Sequence, residues 1–238
     1  MKIAIIGYGK MGHEIEKVAI ERGHTIALII DQNNFDELTV SNLQKCDVAI
    51  EFTTPHTAYS NYNTCFNAGV PVVSGTTGWL EQYDELTNIC REKNQTFFYA
   101  SNFSIGVNVF YEINKQLSRI MNNFANYDVD IEEIHHTQKL DAPSGTAISL
   151  ANEIIKNVER KTQWVNNKTD NKQDLFIKSI REGQVVGTHT INYNSDVDFI
   201  EIKHFAKNRK GFALGAVLAA EFICDKKGIF GMNDLLKF

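Results

Sequence analysis

Short apolar runs alternate with helix-period segments over the first hundred residues. The runs Lys2–Ile6, Thr25–Ile30, Asp47–Phe52, Val70–Ser74 and Thr96–Ala100 are rich in Val, Ile and Phe and too short for helices, so they predict strands. Between the first two, Met11, Ile15, Val18 and Ala19 fall at i, i+4, i+7 and i+8 and form one helical stripe, which Gly23 ends as a C-cap. Thr54-Pro55 reads as an N-cap and first helical residue, with Gly69 as the stop before the next strand. Strands alternating with helices imply a parallel sheet joined by right-handed crossovers.

From about Ile105 the rhythm changes. A helical stretch runs to about Asn123, a strand is predicted over Tyr127–Ile134, and a helix over Thr146–Val158 carries Ile148, Leu150, Ala151, Ile154 and Ile155 on its stripe. The polar segment Thr162–Asp174 predicts a long loop. Strand-like runs follow at Leu175–Arg181, Val185–Asn192 and Val197–Phe205, the first two joined around Glu182-Gly183 as a hairpin, so this half is expected to be mostly antiparallel. The apolar helix Phe212–Cys224 and the segment Met232–Leu236 fit the first half better than the second.

Composition narrows the class. With 43% hydrophobic and 22% charged residues in 238, the chain can build globular cores and is not a disordered or coiled-coil sequence. No apolar run approaches the length of a membrane helix, and the start lacks a signal-peptide pattern, so a cytoplasmic location and no membrane partner are expected. Net charge is -5 and the basic residues are scattered, which argues against nucleic acid as a partner. Cys46, Cys65, Cys90 and Cys224 show no paired spacing and read as core thiols, so neither zinc nor a disulfide framework is expected.

The candidate chemistry lies in three places. Gly7-Tyr8-Gly9-Lys10-Met11-Gly12 follows the first strand and opens a helix, and Asp31 ends the second strand: a dinucleotide-binding pattern, with the pyrophosphate at the helix N-terminus and the acid on a ribose hydroxyl. Gly75-Thr76-Thr77 and Ala100-Ser101-Asn102-Phe103 follow the fourth and fifth strands, at the carboxyl ends where open α/β sheets bind ligands. Glu133-Ile134-His135-His136-Thr137-Gln138-Lys139-Leu140-Asp141-Ala142-Pro143-Ser144-Gly145-Thr146 sets two His and a Lys beside a Ser-Gly-Thr helix start, which puts proton donors next to an anion-receptive N-terminus and suits a small carboxylate substrate. His189 and His204 fall on strands of the same half and read as satisfied sheet residues.

The string EIHHTQKLDAPSGTA closely resembles the signature of the 4-hydroxy-tetrahydrodipicolinate reductase family, also called dihydrodipicolinate reductase. The resemblance spans nearly the whole chain through GYGKMG, DVAIEFTTPH, GVPVVSGTTGW, ASNFSIGVNVF, REGQVVGTHTI and FALGAVLAAEFI. It implies an α/β fold with a Rossmann-type parallel-sheet domain (1–103 and 212–238) for the dinucleotide. It also implies an α+β substrate-binding and oligomerisation domain with a mostly antiparallel sheet (104–211). The implied activity is reduction of a cyclic unsaturated dicarboxylate by NADH or NADPH, in a homotetramer, as a step of diaminopimelate and lysine synthesis. His135 looks like the family's proton donor and Lys139 like its second donor, while His136, Ser144, Gly145 and Thr146 look like substrate contacts. Gly7 to Gly12, Asp31, Gly75 to Thr77 and Ala100 to Phe103 match its cofactor contacts. Two departures stand out: Leu214 replaces an Asn frequent in the late F-A-N-G-A string, which bears on substrate-domain packing, and the glycine loop lacks a residue many members carry, which bears on Lys10.

Overall fold

Each apolar run of the first hundred residues becomes a strand: β1 (Lys2–Ile6), β2 (Thr25–Ile30), β3 (Val48–Glu51), β4 (Val72–Ser74) and β5 (Thr96–Tyr99). The structure, a computed structural model, describes Met1–Phe238 throughout. The helices between them are α1 (Lys10–Glu21), a short α2 (Val40–Leu43), α3 (Pro55–Ala68) and α4 (Tyr83–Glu92). Punctuation follows the sequence. Gly23 takes the left-handed φ of 81° just past the Arg22 C-cap, and α3 runs from Thr54-Pro55 to a left-handed Gly69. All five strands pair in parallel, and alternate side chains go to opposite faces of the sheet. Ile3 and Ile5 join one core with Ile15 and Val18 of α1, whereas Ala4 and Ile6 join another with Tyr62 and Phe66 of α3 and Leu86 of α4. Burial on both faces is why these strands read as unbroken apolar runs.

The chain divides into two compact units, Met1–Ile105 with Arg209–Phe238, and Gly106–Asn208. The second contains α5 (Ile105–Met121), β6 (Asp128–His135), α6 (Gly145–Asn157), β7 (Gln163–Val165), β8 (Asp174–Arg181), β9 (Thr188–Asn194) and β10 (Phe199–Phe205). Its sheet has the order β10-β9-β6-β8-β7. Two sequence expectations fail here. The runs either side of Glu182-Gly183 do not form a hairpin, because β6 lies between β8 and β9, parallel to the first and antiparallel to the second. The turn itself is tied to the end of β6: Glu182 N–H donates to the His135 carbonyl at 2.7 Å, and Thr137 N–H to the Gly183 carbonyl at 3.3 Å. With β7 also parallel to β8, the sheet is evenly mixed rather than mostly antiparallel. The expected loop over 162–174 holds the edge strand β7 and is organised by polar groups: Asp174 accepts from Gln163, Thr169 and Asn171, while the buried Lys161 donates to the carbonyls of Lys172 and Asp174.

The chain then returns to the first unit as α7 (Lys210–Ile223), β11 (Gly228–Phe230) and α8 (Met232–Leu236). β11 adds a sixth parallel strand beside β5, which three residues were too short to signal. Leu214 sits on α7 against the core of the first unit, so its departure from the family string bears on dinucleotide-domain packing.

Candidate active site

β1 and β3 are neighbours, and the chain leaves β1 toward β2 but β3 toward β4, on opposite sides, so a crevice opens beyond the ends of β1 and β3. Gly7 has φ of 97°, and a Cβ there would lie 2.0 Å from the Phe52 carbonyl oxygen; a Cβ on Gly12 would lie 2.4 Å from that of Gly7. Packing therefore requires both. Gly9 differs: it is the N-cap of α1 with extended backbone, and a Cβ there would meet nothing within 4 Å. The protein's own packing does not explain that glycine, but the close approach of an anionic group to the helix N-terminus does. Lys10 is exposed beside it, Met11 packs against the core, and the Tyr8 ring turns back onto α1 against His13 at 4.0 Å, its hydroxyl on Glu16.

Two adjoining cavities share Gly9, Phe52 and Thr53. One of about 430 Å³ is lined by Gly7, Tyr8, Asp31, Gln32 and Phe35, the other of about 480 Å³ by Lys10, Met11, Gly12 and Gly75 to Thr77. Asp31 caps the 3-10 turn Gln32–Glu37, one carboxylate oxygen accepting from Gln32 N–H at 2.6 Å. The residues fit a dinucleotide: a glycine cradle at a helix start, a carboxylate at the end of β2, and elongated space joining them. Ala100 and Phe103 have core side chains, and Asn102 accepts from Ser104 N–H at 2.9 Å; the segment Ala100 to Phe103 lines neither cavity.

Beneath the second cavity lies a group that sequence reading missed. Glu51 is fully buried at the end of β3 and accepts hydrogen bonds from the hydroxyls of Thr53, Ser74 and Thr76, and from Thr53 N–H. Thr76 also accepts from Thr53 N–H at 2.8 Å. The expected hydroxyl of Thr76 is thus committed inward and braces the loop after β4. The signal was present in the sequence as an acid ending the run Val48-Ala49-Ile50, where only a satisfied carboxylate is tolerable.

In the second unit the chemistry follows from strand parity. Along β6, Val129, Ile131, Glu133 and His135 share the buried face; the first two join the core with Leu175, Ile177, Ile191 and Tyr193. Toward the end of β6 the same face turns ionisable. Glu133 stands opposite His189 on β9, which stands opposite His204 on β10, while Arg181 is the β8 partner of His135. Glu133 contacts His135 Nδ1 with one carboxylate oxygen, and with the other accepts from Arg181 at 2.9 Å and from Ser144 N–H at 3.2 Å. Burial works to raise the Glu133 carboxyl, but hydrogen bonding led by His135 outweighs it and holds the group down at about 2. Burial, followed by the neighbouring His135, pushes His189 down to about 3, so it is a neutral ring at physiological pH. The His135 and His189 rings meet edge to face at 5.1 Å.

Ser144 is buried and caps α6: its Oγ accepts from Ala147 N–H at 3.2 Å and pairs with His189 Nε2 at 3.2 Å. Its side chain is therefore spent on the helix, whereas Gly145 and Thr146 form the first turn above it. His136 leaves the strand and turns the chain, its carbonyl accepting from Lys139 N–H at 3.1 Å. Lys139 Nζ is 2.8 Å from Asp141. Ligating atoms of Glu133, His135 and His189 lie within 4.8 Å of one another, but the Arg181 guanidinium already supplies the cation at this carboxylate. The arrangement holds and orients protons beside a helix N-terminus.

Comparisons with known proteins place the chain in a family. The family descriptions "Dihydrodipicolinate reductase, N-terminus" and "Dihydrodipicolinate reductase, C-terminus" match residues 1–103 and 106–236. The 4-hydroxy-tetrahydrodipicolinate reductase of Christiangramia forsetii is 49% identical over 99% of this chain and 98% of its own. That of Thermosipho africanus is 35% identical over 100% of this chain and 98% of its own. Among solved structures, a dipicolinate-bound dihydrodipicolinate reductase from Paenisporosarcina sp. TG-14 matches with a TM-score of 0.77 over 97% of both chains at 24% identity, which speaks for the fold. The chain belongs to the dihydrodipicolinate reductase family.

Proposed function

We propose that the chain reduces 4-hydroxy-tetrahydrodipicolinate to tetrahydrodipicolinate with a reduced nicotinamide dinucleotide, a step of diaminopimelate and lysine synthesis. The observation that carries the reading is the convergence on one buried sheet face of Glu133 and His135, next to the Ser144-capped start of α6 and the Lys139 loop. Identity of 49% to a reductase of this name, over nearly the whole chain, supports it.

Residues 1–105 hold the cofactor. The N–H groups at the start of α1 and Lys10 take the pyrophosphate, Asp31 takes the adenosine ribose, and Gly75 to Thr77 with Ala100 to Phe103 take the nicotinamide end. When bound, that group supplies a hydride. The net change takes up one hydride and one proton and releases the 4-hydroxyl as water. His135 delivers the proton from Nε2, since Nδ1 faces Glu133. Lys139 exchanges Asp141 for the substrate and offsets the negative charge that builds in the ring. The N–H groups of Gly145 and Thr146, which precede the Ala147 N–H taken by the cap, receive a carboxylate of the dicarboxylate substrate, and His136 receives its partner. Ser144 fixes that turn through its cap and stands with Gly145 and Thr146 at the same carboxylate.

We also read the second unit as the oligomerisation domain. The edge strand β10 and the turn before it expose Val197, Phe199, Ile200 and Phe205, an apolar strip on a strand with one free edge, which a second copy of the chain covers in a homotetramer. Incubation with freshly generated 4-hydroxy-tetrahydrodipicolinate and NADH or NADPH tests the activity. Substrate-dependent oxidation of either supports it, and oxidation of neither refutes it.

A further inference from the structure

We propose that Glu133 and Arg181 form a positioning pair that couples the two proton-handling groups, an inference that rests on His135 being the proton donor. Glu133 is fully buried, with one carboxylate oxygen against His135 Nδ1 and the other accepting from Arg181 and from Ser144 N–H. A carboxylate at Nδ1 fixes which edge of the ring is held by the protein and leaves Nε2 as the atom that handles the proton. Room for that nitrogen is built in at Gly187, where an added Cβ would come to 3.0 Å from His135 Nε2.

Arg181 extends the linkage to the loop. Besides the carboxylate, its guanidinium donates to the carbonyls of Lys139 at 3.3 Å, Asp141 at 2.5 Å and its neighbour Ile180 at 2.8 Å. One planar fork therefore ties the acid behind His135 to the backbone on both sides of Leu140, the segment that carries Lys139. Neither Glu133 nor Arg181 reaches a reacting atom; each acts through another residue. The cost of burying the charged carboxylate is met only while both partners stay in place, so displacement of the loop and misorientation of His135 go together.

Steady-state kinetics on Glu133→Gln, His135→Ala, the double variant and Arg181→Lys test this, with folding checked by thermal melting and NADH binding by fluorescence. Glu133→Gln should lower kcat at least tenfold with KM within about twofold of wild type. In the His135→Ala background the same substitution should change kcat by less than about twofold, since the ring it orients is gone. Arg181→Lys, which keeps the charge but not the fork, should lower kcat and raise KM at least fivefold. A merely structural Glu133 predicts equal losses in both backgrounds, and that result overturns the proposal, as does wild-type turnover in Glu133→Gln. Should Glu133→Gln fail to fold, Arg181→Lys decides, and wild-type kcat and KM there overturn the pair. Unimpaired His135→Ala would instead refute the catalytic reading beneath it.

Discussion

The hydroxyl of Thr76, after β4, donates to the buried carboxylate of Glu51, at the end of β3, across 3.0 Å. The two strand ends at the cofactor crevice are thereby locked together, with Thr53 and Ser74 on the same acid. Replacing Glu51 by Ala removes the acceptor of the buried Ser74 and Thr76 hydroxyls, each donor left unpaired costing about 1–3 kcal/mol. The urea midpoint should fall, and NADH should bind at least tenfold more weakly in fluorescence titrations under conditions where the variant is folded. Unchanged NADH affinity would mean that the brace serves folding alone.

Cofactor choice should follow charge. Asp31 ends β2, and the turn after it reads Gln32-Asn33-Asn34 without a cation for a 2'-phosphate. Wild type should therefore use NADH at least as well as NADPH, as kcat/KM. Asp31→Asn should move the ratio toward NADPH. A preference of wild type for NADPH of more than about tenfold, equivalent to about 1.4 kcal/mol, would show that Lys10 or another cation overrides Asp31.

Acid should destabilise the fold in two overlapping windows. His189 titrates near 3 when folded against an ordinary 6.5, so between these values the unfolded chain binds the extra proton and stability falls as pH falls. Glu133 is held at about 2 against an ordinary 4.5, so the stability it contributes is present above 4.5 and is lost as pH drops toward 2. Urea midpoints measured from pH 7 to pH 3.5 should decline, and His189→Asn should flatten the decline above pH 4.5. An identical slope in that variant would assign the acid sensitivity elsewhere.

The apolar strip on β10 gives the assembly test. Light scattering at micromolar concentration should give a tetramer. Phe199→Asp, which puts a charge on the exposed strip, should yield smaller species with an intact circular dichroism spectrum. A monomeric wild type would contradict the reading of this edge.

Most of the first unit was legible because β1, β3, β4 and β5 are buried on both faces, which writes unbroken apolar runs, and because Gly7, Gly23, Gly69 and Pro55 sit where backbone geometry demands them. The second sheet was harder. Strand periodicity found four of its five members and missed the three-residue edge strand β7, while the order was set by bonds from the 182–183 turn to the end of β6, which no local pattern encodes. The site divides the same way. His135 and Lys139 lie in one contiguous string, whereas Arg181 and His189 reach Glu133 only through pairing of strands distant in sequence. Glu133 was readable in principle, since it occupies an apolar-parity position after Val129 and Ile131.

If the loop after β6 supplies the groups that protonate and steady the substrate, Lys139→Met should show it in kcat. Met keeps the length of the stem and removes the cation that pairs with Asp141 at rest. The kcat of the variant should fall by about two to four orders of magnitude, with NADH binding retained because Lys139 lies outside the proposed cofactor contacts. His135→Ala, measured alongside, should fall comparably, while His136→Ala should act mainly on KM. Wild-type turnover in Lys139→Met, with the protein folded and NADH bound, would remove Lys139 from the chemistry.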